Sequence, residues 1–242
     1  MRSAVRLLLL LLLSLVCLQI WFAARIALMN VLAPQSTTFQ RSEMLRLAVE
    51  KHQIAWTQDW VDAADLSRNL KRAVIASEDA AFVEHGGVEW DAIEKAWDKN
   101  QAAQARAQKI ASRTTKPVQA KIVGGSTISQ QLAKNLFLSG ERSLPRKGQE
   151  LLVTLMLEAL LSKERILDIY LNNVEWGEGV FGAQAAARHY FRVDAKALSP
   201  NQAARLAVML PAPKRFEKRP GSGYVLGRAG TIEARMPAVE LP

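Results

Sequence analysis

The sequence predicts a mainly α-helical domain carried behind a single N-terminal transmembrane helix. Three observations predict it. The run Leu7–Ala24 is apolar, broken only by Ser14 and Gln19. At about 1.5 Å per residue it makes roughly 27 Å of helix, enough to cross a hydrocarbon core. Downstream, apolar residues recur at three- and four-residue spacing or in long Leu- and Ala-rich runs, and strand-like alternation is scarce. Hydrophobic residues make up 49% of the 242, enough for one substantial core.

The anchor comes first. Arg2, Arg6 and the N-terminal amine precede it, so the positive-inside rule puts the N-terminus in the cytoplasm and the remainder outside. Trp21-Phe22 followed by Arg25 reads as an interfacial anchor, while the small residues Ala23-Ala24 keep signal-peptide cleavage open. The expected organisation is a cytoplasmic tip (1–6), the anchor (7–24), a linker and membrane-proximal segment (25–60), the folded domain (61–215) and a C-terminal segment (216–242). Within the linker, Pro34–Thr38 is turn-like and Met44–Trp60 shows no strong period. Ile54, Trp56 and Trp60 suggest a short strand or core anchors.

In the folded domain, Leu66, Leu70, Ala73, Val74 and Ser77 fall at helical spacing, with Ser67 as N-cap. The pattern breaks at Ser77-Glu78-Asp79, before Phe82, His85, Gly86 and Gly87. Val88–Asn100 predicts a helix with Trp90, Ile93, Ala96 and Trp97 on one face. Lys99–Val123 holds Lys99, Arg106, Lys109, Arg113, Lys116 and Lys121 and no acidic residue; it reads as a solvated, mobile loop, compatible with a basic flap near phosphates or headgroups. Gly124-Gly125 leads into a helix through Ser126, Thr127, Gln130, Gln131 and Lys134. A further helix starts at Ser143-Leu144-Pro145, with Pro near the first turn. Leu151–Tyr170 is expected as one buried central helix, its charges Glu158, Lys163, Glu164, Arg165 and Asp168 placed for i,i+4 pairs. Leu171–Gly179 is a turn-rich return loop and Val180–Phe191 a small-residue helix. Ser199-Pro200 opens a packed helix that ends at Pro211–Pro213, and the tail is helical around Val225–Met236.

Basic residues outnumber acidic ones, 32 to 23, for a net charge of +9. This favours a polyanionic partner, and an extracytoplasmic domain excludes nucleic acid in favour of phosphorylated lipids or a membrane surface. The single cysteine, Cys17, excludes an internal disulfide and a cysteine zinc site. His52, His85 and His189 are scattered with no HExxH spacing, so a protein-held transition metal is not expected.

Glu78 is the leading candidate for chemistry. A carboxylate closing an apolar helix is where burial pushes a Glu pKa up, so that it exchanges protons at working pH. A solvated charge pair at a helix end fits the stretch equally well. Gly124–Lys134 suits an anion at a helix start but lacks the Walker pattern. Arg146 and Lys147 are either surface charges or phosphate binders, and Glu150 is either a dipole-favoured charge or a second site carboxylate.

Four ordered blocks then carry a resemblance: SEDAAFVEHGG (77–87), GGSTISQQLAKNLF (124–137), RKGQE (146–150) and KERILDIYLNNVEWG (163–177). Together, behind a membrane anchor, they resemble glycosyltransferase family 51, the peptidoglycan glycosyltransferases, over about Leu66–Leu210. The chain carries no SxxK–SxN–KTG set, and in this it resembles the monofunctional members. Ser129 stands where Thr is more common, Gln202 where Glu is common, and the last basic block is only loosely matched by Arg228 and Arg235. The resemblance implies a lysozyme-like helical fold in the bacterial inner membrane, single-pass, with a periplasmic catalytic domain.

The implied reaction joins lipid II units into linear glycan. The acceptor 4-hydroxyl attacks MurNAc C1 with inversion, and undecaprenyl pyrophosphate leaves. The implied catalytic residues are Glu78, as general base, and Glu150, orienting donor groups or an ion. The implied substrate-binding residues are Lys134, Arg146, Lys147, Ser126, Thr127, Gln130 and Gln131. Asp79, His85 and Asn172 take structural roles. No cofactor is required, with a divalent cation, magnesium or manganese, left open. The partners implied are lipid II, the growing glycan, the membrane and cell-division or wall-synthesis proteins. A lysozyme-like or lytic glycan-cleaving enzyme and a non-enzymatic envelope scaffold are the alternatives.

Overall fold

The computed structural model describes residues 2–111, 124–138, 141 and 143–242. The apolar run forms α1 (Arg2–Leu28), of which Ser3–Leu28 is long and apolar enough to cross a bilayer. Leu7–Leu13 lie exposed, as a lipid-facing surface requires. The far end of α1 behaves differently: Phe22, Ile26 and Met29 are buried in the same core as the rest of the domain. Gln19 and Gln149 exchange two hydrogen bonds, of 2.9 and 3.0 Å. Trp21, Phe22 and Phe137 form an edge-on aromatic cluster. Arg165 donates to the Met29 carbonyl at 2.6 Å.

A helix then stands where no strong period was expected: α2 (Thr38–Lys51) covers part of the supposed linker. Its inward face carries Gln40 and Glu43 beside Leu47, so the apolar repeat is missing although the helix is packed. Thr37 and Gln40 close a capping box at its start, and Glu43 pairs with Arg46 and with Lys214.

In order there follow α3 (Arg68–Glu78), α4 (Trp90–Ala111), α5 (Ile128–Phe137), α6 (Leu144–Leu160), α7 (Lys163–Asn173), α8 (Ala183–Phe191), α9 (Pro200–Met209), α10 (Pro213–Phe216) and α11 (Gly223–Glu233). The chain is helical with little strand, as expected. α3 begins at Ser67, whose hydroxyl accepts from the Asn69 N–H at 3.2 Å. Its buried Leu70, Ala73, Val74 and Ile75 pack it against α9 and α11. Each such large aliphatic side chain, fully removed from water, stabilises the fold by about 1.5–3 kcal/mol.

Three expectations are corrected. Lys99–Ala111 belongs to α4 and is not a loop; the rest of that basic stretch, with Arg113, Lys116 and Lys121, lies outside the described residues. The α4 face carrying Trp90, Ile93 and Trp97 is exposed, with Ala96 alone of the four buried. Leu151–Tyr170 is not one helix. Leu161 turns extended and the Ser162 hydroxyl caps α7 by accepting the Arg165 N–H at 3.1 Å. As a result α6 leaves Leu152, Leu155 and Leu160 exposed, while Ile166–Asn173 of α7 are all buried. Asp168 pairs across to Lys71 of α3 at 3.1 Å rather than along its own helix.

The return loop holds β2 (Glu175–Gly177), which pairs with β3 (Val180–Phe181). These last two residues were expected to begin the helix 180–191, which starts only at Ala183, and β1 (Thr57–Gln58) runs parallel to β3 on its other edge. Gly179 is obligatory there: its φ is +74° and an added Cβ would stand 2.0 Å from the Ala55 oxygen. Glu175 is buried with Lys214 at 3.5 Å, and its pKa is raised to about 7 by burial, against Lys214 and with help from Glu43 and Glu217.

Candidate active site

α3 ends in two carboxylates that part company. Asp79, its C-cap, turns inward and is buried. One oxygen accepts the Ile128 N–H at 2.9 Å, at the start of α5, and the other meets His85 Nε2 at 2.9 Å. The Gly87 N–H donates to His85 Nδ1 at 3.0 Å, so that nitrogen is the acceptor and the ring proton on Nε2 points at Asp79. Asp79 therefore clips the end of α3 to the start of α5, and His85 to the turn after it. Both spend their polar atoms on hydrogen bonds within the fold.

Glu78 stays partly accessible. Its Oε2 accepts from Gln131 Nε2 at 3.1 Å, and Ser77 lies 3.4 Å from Oε1. Burial raises its pKa, the Gln131 and Ser77 hydrogen bonds pull it down, and the Asp79 charge adds a small push upward. Gln131 is oriented in turn by Tyr170, a fully buried side chain on α7 whose hydroxyl donates to Gln131 Oε1 at 2.9 Å.

Gln131 also lines a cavity of about 350 Å³ between α5 and the start of α6. Ser126, Gln130 and Lys134 share its wall with Arg146, Lys147 and Glu150. Six of the seven substrate-site residues named from the sequence meet here. The seventh, Thr127, is spent on the scaffold: it caps α5, accepts the Gln130 N–H at 3.1 Å and donates to the Gly87 carbonyl at 2.6 Å. The Gln130 side-chain oxygen, Oε1, is likewise taken by the Thr127 N–H at 3.1 Å. The T-x-x-Q capping box that fixes both was visible in the sequence and went unread.

Glu150 is buried between Arg146, at 2.8 Å, and Lys147. Lys134 reaches the surface at the same cavity. Desolvation lowers its pKa; Glu150 opposes this, and Arg146 and Lys147 add to it. Three cations against Glu150 and Glu141 leave the cavity wall positive. Phe39, from α2, closes one side. It was missed because α2 itself was.

A supporting network was missed too. Ser129 donates to Glu158, which pairs with Lys163 at 2.9 Å; Lys163 also donates to the His85 carbonyl at 2.6 Å and lies 4.5 Å from the Phe82 ring centre. It ties α5, α6 and α7 to the turn behind Glu78.

A divalent cation does not fit the charged groups as they stand. Asp79, His85 and Glu89 bring ligand atoms within 4.8 Å of one another. Both Asp79 oxygens and both His85 nitrogens, however, are engaged in hydrogen bonds. Glu150 is already balanced by two cations.

Comparison with known proteins matches residues 47–237 to the transglycosylase family. The chain is 51% identical to the biosynthetic peptidoglycan transglycosylase of Paraburkholderia phytofirmans, covering 93% of this chain and 87% of that protein. It is 52% identical to that of Burkholderia pseudomallei, over 93% and 82%. With the Bordetella pertussis protein the identity is 49%, over 93% and 86%.

Proposed function

Since the chain belongs to the transglycosylase family and is a peptidoglycan glycosyltransferase of cell wall biosynthesis, we propose that it polymerises lipid II with Glu78 as general base. The observation that carries this reading is Gln131, which holds Glu78 at 3.1 Å and at the same time lines the cation-rich cavity. Gln131 thus links the proton acceptor to the wall of the cavity that holds the cations, although Glu78 itself is not part of that wall.

The acceptor's 4-hydroxyl gives its proton to Glu78 as its oxygen forms the new bond to donor C1. The bond from C1 to the pyrophosphate breaks with the electron pair leaving on the phosphate oxygen, so the configuration at C1 inverts. Lys134, Arg146 and Lys147 stabilise the charge that develops there, in a partly desolvated cavity where such contacts are strong. Ser126, Gln130 and Gln131 supply hydrogen bonds to sugar or phosphate, and Thr127 shapes the loop that presents them. Glu150 holds Arg146 and Lys147 in place; no step is routed through a metal ion.

Gln149, between Lys147 and Glu150, bonds Gln19 of the anchor, which suits a substrate whose pyrophosphate lies at a membrane surface. The protein is a single-pass membrane protein in this reading, N-terminus cytoplasmic, catalytic domain on the periplasmic face of the inner membrane.

Labelled lipid II in detergent tests the assignment. The expected result is long glycan from the native protein and a loss of about 10²-fold or more with Glu78→Gln at unchanged melting temperature. Native-rate synthesis by the folded variant overturns the base assignment.

A further inference from the structure

Beside the anchor lie two cavities of about 690 and 330 Å³, remote in residues from the catalytic cavity. Both share Arg25, Met29, Ser36 and Arg41, and neither lining holds an acidic side chain. The smaller continues along Trp21, Phe22 and Phe137, toward the membrane span.

Among the described residues no carboxylate neutralises either guanidinium. Arg41 donates to the Ser36 carbonyl at 3.2 Å, to Ser36 Oγ at 3.0 Å and to Thr38 Oγ1 at 3.1 Å. Arg25 lies over the Trp21 ring, 5.5 Å from its centre. Among the described residues neither arginine pairs with a carboxylate, and two cations on one wall repel unless an anion joins them. The start of α2 adds its partial positive charge. Trp21 marks the level of the headgroups.

We propose that Arg25 and Arg41 bind the phosphodiester of an anionic phospholipid, whose acyl chains run along the Trp21–Phe22–Phe137 side. The charge calls for an anion, and the apolar groove that continues toward the span calls for hydrocarbon attached to it. The site is separate from the one that takes substrate, and its test needs no turnover.

The full chain is purified in detergent, incubated with phosphatidylglycerol or phosphatidylcholine, and examined by native mass spectrometry with melting curves. The expected result is one phosphatidylglycerol retained by the native protein, with retention about a hundredfold weaker in Arg25→Gln/Arg41→Gln, two lost charge-assisted contacts at about tenfold each. Arg25→Gln alone, which among the described residues removes the contact with the Trp21 ring and no hydrogen bond, weakens retention in the same direction. Arg25→Lys/Arg41→Lys keeps much of the binding. Equal retention by the glutamine variants, equal retention of phosphatidylcholine, or displacement by millimolar inorganic phosphate overturns the proposal. So does retention that only a polyprenyl pyrophosphate displaces.

Discussion

Gln131 donates to Glu78 at 3.1 Å, and the same amide accepts from the Tyr170 hydroxyl at 2.9 Å. The amide's orientation is therefore set from the core: Tyr170 fills the oxygen end and turns the nitrogen end toward the carboxylate. Burial favours the protonated acid and outweighs Gln131, which favours the anion, so the Glu78 pKa stays above its ordinary value.

Gln131→Ala removes the donor that favours ionised Glu78. The Glu78 pKa rises further, and the acid limb of the pH–rate profile moves to higher pH, so activity falls more at pH 6 than at pH 8. Tyr170→Phe shifts the limb the same way by less. Profiles of kcat/KM across this range check it; an unmoved limb in Gln131→Ala contradicts titration of Glu78 as the base.

Lys134→Ala weakens use of the lipid-linked substrate about tenfold through KM, with little effect on melting, because its ammonium serves the cavity more than the fold. Arg146→Ala costs about 2 kcal/mol of stability, since Glu150 is buried and keeps only Lys147. Lys147→Ala, whose side chain is half exposed, costs under about 1 kcal/mol. Saturation curves and thermal melts of the three variants separate these effects.

Glu175 sets a pH dependence of stability. Its folded pKa, about 7, lies above its ordinary 4.5, so the folded state holds the proton more tightly than the unfolded state. Its contribution is full below about pH 4.5, is lost as pH rises toward 7, and is gone above. The span is up to about 3 kcal/mol. Glu175→Gln flattens that slope; urea titrations at pH 5, 6, 7 and 8 measure it.

Gly87→Ala destabilises the fold by about 2–3 kcal/mol. The residue has φ +90°, and a Cβ would stand 2.7 Å from the Glu158 Cγ and 2.9 Å from the Thr154 methyl. The displacement reaches His85 and Thr127, both bonded to the Gly87 backbone, so activity falls further than stability alone explains. Melting temperature and turnover at a temperature well below it test the two parts.

Local chemistry was the legible part of the sequence. Ser67, Ser143 and Ser199 cap the helices they were expected to cap or start, because a hydroxyl on an orphan N–H is a short-range signal. Glu78, Lys134, Arg146 and Glu150 were singled out by their motifs. What stayed hidden depends on contacts across the chain. α2 has no apolar repeat because its inward residues bond to Asn173 and Lys214. The break before α7 lies where the Leu-rich run Leu151–Leu161 meets Lys163-Glu164-Arg165, all helix-compatible residues, so only Ser162 marks it. The Glu158–Lys163 pair spans that break, so no single-helix spacing could have suggested it.

The two hydrogen bonds between Gln19 and Gln149 turn the anchor from a tether into a fixed strut. In the proposed reading, a substrate cavity braced in this way keeps one height above the bilayer and does not sample the volume around it. For the lipid-linked substrate proposed above, encounter becomes a search in two dimensions. Its rate follows the surface density of substrate in the leaflet and the lateral diffusion of both molecules, and a flexible insertion between anchor and domain would slow the enzyme without touching a residue that meets the sugar.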